Sequence, residues 1–192
     1  MVIEFSGLIL LGITFLYLGI STIYKYIKNI SINYKSEILN LFLFLSILFI
    51  ISLTLFPIRL GYKFEGFEIF NIVPFKIIIT MLFEYPLGQF IYNVIGNIVL
   101  FIPLGFFIYI KFEKNKTKTL LAVFIMTLGV EFIQGFIPYR FCDIDDIILN
   151  TFGGYIGIII YNILYLKFNN KLKKYRLPSN LYFFLKYIKL NN

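Results

Sequence analysis

The 192-residue chain is 59% hydrophobic and only 15% charged, with a mean hydropathy of +0.85, which excludes an ordinary water-soluble domain. It has no histidine and a single cysteine, Cys142, so histidine-based catalysis, histidine-ligated zinc and an intramolecular disulfide are excluded. Its net charge of +8 comes with no solvated basic face or binding module, so the basic balance is assigned to membrane topology and anionic lipid headgroups, not to nucleic acid.

Apolar runs long enough for a hydrocarbon core roughly 30 Å thick fall at about 2–24, 38–57, 90–110, 119–138 and 146–166. They predict an all-α, polytopic membrane bundle of about five transmembrane helices. The first run starts with Glu4 instead of a basic n-region and lacks a small-x-small exit, so it is expected to stay in the mature protein. Three segments organise the chain: 1–36, the first helix and a basic loop; 37–167, the main membrane domain; and 168–192, a basic tail. In the tail, Leu181–Lys189 suits the membrane interface.

Lys and Arg beside spanning helices stay cytoplasmic. Fourteen of the 18 basic residues fall in three alternating segments, around Lys25–Lys35, Lys111–Lys118 and Lys167–Lys189, while eight of the ten acids fall on the opposite side. The N-terminus is therefore expected outside, the C-terminus inside, and the protein multi-pass in the cell membrane.

The loop 58–89, between the second and third helices, is longer than bundle connections usually are. Its aromatics alternate with Glu65, Glu68 and Asn71, and Ile77–Phe83 is too short to span. These features predict an interfacial or re-entrant outer element, with a rigid turn at Asn71–Phe75; a simple aromatic belt is the alternative.

Polar residues recur at helical spacing on the last three helices. Gln89, Asn93 and Asn97 share one face of the third; Thr127, Glu131, Gln134 and Pro138 share one face of the fourth; Asp146 and Asn150 start a stripe on the fifth that continues into Gly153 and Gly157. The glycines read as close helix packing. Asp145, aided by Asp143, is expected to cap the fifth helix. Arg140 is expected either to pair with Asp143, Asp145 or Asp146 or to hold an anionic ligand group. Capping does not explain Glu131. An ionisable group near the centre of a spanning helix costs about 2.5–3.5 kcal/mol, so Glu131 must be neutral, paired or in a wet pocket, and pairing with Arg140 is one geometry for that. Cys142 has no histidine to activate it and reads as a spectator.

The ordered set Asn71-x-x-Pro74-Phe75, Asn97-x-x-x-Phe101-x-Pro103-x-Gly105, Glu131-x-x-Gln134, then Arg140-x-x-Asp143-x-x-Asp146-x-x-x-Asn150-Thr151-x-Gly153 with Gly157, resembles the VanZ-like family of bacterial membrane proteins. The resemblance covers roughly residues 40–167. That family takes its name from a protein linked to resistance to teicoplanin, a lipid-bearing glycopeptide, and the resemblance implies a cell-envelope role without supplying a reaction.

Two functions compete. One is an envelope protein whose outer-leaflet pocket binds an amphiphilic envelope lipid or lipid-bearing antibiotic through Asn71, Asn97, Gln134, Asp143 and Asn150, contributing to glycopeptide resistance. The other is a membrane enzyme acting on a lipid-linked or surface substrate, with Glu131 as acid or base, Arg140 stabilising negative charge and Asp146, with Asp143, orienting a reactant or ion. A small transporter is a third, disfavoured by the lack of internal repeats. Membrane lipids are the expected surroundings in each case. No metal site or cofactor is expected, because no metal-binding motif is complete; a divalent cation held by the acids and asparagines is the alternative.

Overall fold

A computed structural model describes residues 2–59, 70–137, 140 and 142–174. Within them the chain order is β1 (Val2–Ile3), α1 (Gly7–Ile27), α2 (Tyr34–Thr54), β2 (Ile58–Arg59), β3 (Phe70–Asn71), α3 (Lys76–Glu84), α4 (Leu87–Lys111), α5 (Lys116–Gln134), β4 (Cys142–Asp143) and α6 (Ile144–Lys174). Residues 60–69, Pro138 and the tail beyond 174, each part of an expectation above, lie outside the described residues.

Local chemistry sets the helix starts. Ser6 Oγ accepts the Ile9 N–H, Asn33 Oδ1 accepts those of Lys35 and Ser36, and Asn115 Oδ1 accepts that of Lys118 at 2.9 Å. Each fills backbone donors that a first turn leaves unpaired. The long helix α4 follows Pro86, which forbids a continuous helix from α3.

Five helices are long and apolar enough to cross a membrane: Gly7–Ile27, Tyr34–Thr54, Leu87–Lys111, Lys116–Gln134 and Ile144–Phe168. All five expected spans are present, with shifted ends. One shift bears on the site: α5 is expected to 138 but ends at Gln134. Gly135, Phe136 and Ile137 turn away through bonds to Glu131, Ile133 and Gln134 carbonyls, so Glu131 lies in the last turn and not two turns from the end.

One buried apolar cluster is drawn from three helices: Ile50 of α2, Phe101 and Leu104 of α4, Val123 and Val130 of α5. Many other large apolar side chains face outward, Leu8, Phe15 and Phe83 among the most exposed, and α1 has no buried residue at all. Such a surface would aggregate in water; in lipid it costs nothing.

Glycines set the approach of α6 to α4. A Cβ on Gly153 would strike the Ile98 carbonyl, one on Gly157 the Ile102 carbonyl, and one on Gly105 the backbone of Gly154. The glycine stripe therefore joins α6 to α4 backbone to backbone. The chain divides after Ile158 into two units. The first holds every element from β1 to the start of α6. The second, as described, is the remainder of α6, in which Tyr161 and Tyr165 stack at 6.0 Å.

The two ends of the first unit differ in chemistry. At one, Lys25 forms an ion pair with Glu37, Lys111 Nζ donates to Asn40 Oδ1 at 2.7 Å, and Lys116 lies 4.6 Å from the Tyr155 ring. At the other, β1 pairs antiparallel with β2 and β3 pairs parallel with β4, in register Phe70 with Cys142 and Asn71 with Asp143. These two-residue ladders are absent from the expectations above because each holds too few residues to produce an alternating pattern.

Candidate functional site

The β3–β4 ladder ties the segment before α3 to the entry of α6, and the acids at that entry extend the tie. Asn71 Nδ2 donates to Asp143 Oδ1 at 2.7 Å, while its own Oδ1 accepts the Val73 N–H at 3.3 Å and forms the expected turn. That turn ends at Phe75 in a left-handed conformation, φ 64°, immediately before α3.

Helix α3 has no capping side chain of its own. Asp145 supplies the cap from across the chain. One carboxylate oxygen accepts the Phe75 N–H, and the other accepts those of Ile77 at 3.0 Å and Ile78 at 3.1 Å. The expectation that Asp145 caps its own helix is thus corrected. Asp143 does that work, its Oδ1 accepting the Asp145 N–H at 3.0 Å. A sequence signal for the cross-cap exists: no Ser, Thr, Asp or Asn occurs from Val73 to Phe75, so the first turn of α3 needs a donor-satisfying group from elsewhere.

Glu131 lies beneath this layer, only 1% exposed, and its Oε2 accepts the Asp143 N–H at 2.8 Å. The carboxylate therefore anchors the backbone entering α6 and does not meet Arg140. Beside it, Asn97 Nδ2 of α4 donates to Asp146 Oδ1 of α6 at 2.5 Å. One turn further along α6, Asn150 Nδ2 donates to Thr127 Oγ1 of α5 at 2.8 Å. Thr127, Glu131 and Gln134 are all buried, as a single polar face predicts.

Gln134 and Arg140 turn toward α2 instead. Gln134 Nε2 donates to the Thr54 carbonyl and Arg140 Nη2 to the Phe56 carbonyl, both at 2.9 Å. The carbonyls at a helix C-terminus lack intrahelical partners, and a cation complements the negative end of the dipole. Among the described residues, no ion pair joins Arg140 to Asp143, Asp145, Asp146 or Glu131. Those backbone partners are invisible to a reading that matches charged side chains. On α4, Gln89 is exposed and Asn93 half-buried, so of its three aligned amides Asn97 is the one joined to the acids.

Several buried acceptors retain unused capacity: Gln134 Oε1, Asn150 Oδ1 and Thr151 Oγ1 have no partner in the protein. Burial pushes the Asp143 carboxyl above the ordinary carboxylate range. The bonds from Asp145 N–H and Asn71 oppose the shift, and the Asp145 charge adds to it. The Cys142 thiol is likewise raised, by burial and by the charges of Glu131 and Asp143, so little thiolate forms at neutral pH. Among the described residues, no group of three or more acidic or cysteine side chains is arranged to hold a metal ion.

The fold and this cluster define a polytopic α-helical membrane protein whose buried acids gather at one end of the bundle. Across residues 39–165, which include every site residue named above, the chain matches the VanZ/LLP1 family model, and it belongs to that family. Among curated proteins it is similar to Protein VanZ of Enterococcus faecium, 32% identical over 80 residues, which is 41% of this chain and 50% of that one. The chain thus spans half the length of this curated relative. No solved structure matches it.

Proposed function

We propose that this is a multi-pass cell-membrane protein that binds an amphiphile at its acidic end, facing the outer leaflet, and that the amphiphile is a lipid-linked envelope compound or a lipid-bearing glycopeptide of the teicoplanin kind. The observation that carries the reading is the junction of two chemistries. A cluster of buried Glu131, Asp143 and Asn150 with half-buried Asp146 and Asn97 adjoins a segment, 72–83, whose Ile72, Val73, Ile79 and Phe83 are exposed. A polar head meets the first, and its tail lies along the second.

The charge layout supports the orientation, since the opposite end carries Lys25, Lys111 and Lys116. Arg140 has five N–H donors, and its bond to Phe56 uses one; the others serve an anionic group on the ligand. The vacant oxygens of Gln134 and Asn150 accept from hydroxyl or amide donors on the same head.

The enzyme reading assigns proton transfer to Glu131, and one substitution separates the two. Glu131→Gln keeps an oxygen for the Asp143 N–H but transfers no proton. No envelope-lipid modification detected by mass spectrometry in either protein, with weaker binding by the variant than by wild type, is the result expected. Modification by wild type that the variant abolishes while still binding assigns an enzyme. Binding and drug susceptibility both untouched by Glu131→Gln and by Asp146→Asn remove the site.

A further inference from the structure

Away from the acidic end, a groove of about 530 Å³ opens between α1, α2 and α4, within the spanning parts of all three. Leu10, Phe42, Phe49, Leu100 and Phe107 line it. The polar side chain in the lining is Ser46, and its hydroxyl is already committed, donating to the Phe42 carbonyl at 2.8 Å. The groove offers an occupant dispersion and apolar burial but no hydrogen bond. Along α2 it runs from Phe42 to Phe49, about 10 Å at the helical rise.

One end of the groove is cationic. Phe42 and Phe107 stack there at 5.1 Å, and Lys111 follows Phe107 by one turn on the same face of α4. Lys111 Nζ donates to Asn40 of α2, so the ammonium sits between the two helices that form the groove's walls, with two of its three donors left over. Helix α1, which supplies the third wall, buries none of its residues, so the opening is toward lipid.

We propose that this groove is a binding site for one anionic phospholipid, distinct from the polar cluster: an acyl chain lies between Leu10, Phe49 and Leu100, and the phosphate meets Lys111 in the leaflet at the lysine-rich end. Charge decides the headgroup class, because an ammonium at the mouth distinguishes anionic from zwitterionic lipid. Depth decides the occupant, because an apolar cleft facing the bilayer fills with hydrocarbon and not with water.

The chain has no tryptophan, so a single one reports its own surroundings. Phe49→Trp places the reporter in the groove, and Phe152→Trp places it on an exposed apolar position of α6. The full chain is reconstituted in phosphatidylcholine vesicles with rising fractions of chain-brominated phosphatidylglycerol or chain-brominated phosphatidylcholine. Brominated phosphatidylglycerol should half-quench Phe49→Trp at a mole fraction roughly threefold lower than brominated phosphatidylcholine, while Phe152→Trp shows no such preference. Adding Lys111→Gln should remove the preference. Adding Ser46→Phe, which fills the groove, should leave Phe49→Trp less quenched by either lipid. Identical curves at the two reporter positions overturn the proposal, and so does a preference that survives Lys111→Gln. Protection of Phe49→Trp from both lipids, growing with protein density, also overturns it, because a second copy then occupies the groove.

Discussion

Asp145 lies in the first turn of α6, yet its carboxylate accepts the backbone N–H of Phe75 and caps α3, a helix that starts about seventy residues earlier in the chain. Two further bonds, from Ile77 and Ile78, complete the cap. A helix of nine residues is marginal by itself, so α3 depends on this side chain for its position as well as its first turn.

Replacing Asp145 by Ala should release α3 without unfolding the bundle. The expected loss is about 1–2 kcal/mol, the usual range for a lost cap. Hydrogen exchange should quicken first at Ile77 and Ile78, and proteases should cut nearby, while amides of α4 and α5 stay protected. Equal loss of protection throughout would show that α3 is part of the folding core.

Glu131 should tolerate Gln better than Ala. With Gln the Asp143 N–H keeps an acceptor; with Ala it is buried without one, at a cost of about 1–3 kcal/mol. Thermal unfolding in detergent should therefore rank wild type and Glu131→Gln close together, with Glu131→Ala well below them.

The glycine contacts predict a sharp contrast among Ala substitutions. Gly153→Ala and Gly157→Ala push a methyl into α4 backbone and should each cost about 1–3 kcal/mol or more. Gly96→Ala meets nothing within 4 Å and should be neutral or slightly stabilising. Melting temperatures of the three variants check this directly.

Asp143 predicts a pH dependence of stability with a definite sign. Its folded-state pKa is raised, so the folded protein binds its proton more tightly than the unfolded chain does, and stability contributed by this group is lost as pH climbs through the raised value. Asp143→Asn removes that contribution. The melting temperature of Asp143→Asn relative to wild type should rise as pH climbs above the ordinary carboxylate range. A constant difference would mean that Asp143 does not titrate there.

The five spans and the buried face Thr127, Glu131, Gln134 were readable in the sequence, because hydrophobic runs and helical spacing are local properties. The polar stripes that carry Asn97 on α4 and Asp146 on α6 were readable too, but the bond between these two side chains was not. Nor were the partners of Arg140, Gln134 and Asp145, for a shared reason. All three bind backbone groups, the carbonyls of Phe56 and Thr54 and the N–H groups at the start of α3, and every residue carries those groups alike. Charge matching therefore sent Arg140 to the acids, and helix-start rules sent Asp145 to its own helix. The short β3–β4 ladder, which fixes Asn71 beside Asp143, left no pattern to read.

Reception of an amphiphile by the acidic end is tested by titrating a fluorescent lipid-bearing glycopeptide against the full chain in nanodiscs. Saturable binding is expected, which Glu131→Gln and Asp146→Asn each weaken about tenfold or more, in line with loss of a hydrogen bond to a charged group, while Gly96→Ala leaves it unchanged. Equal binding by all four proteins, each folded, would contradict it.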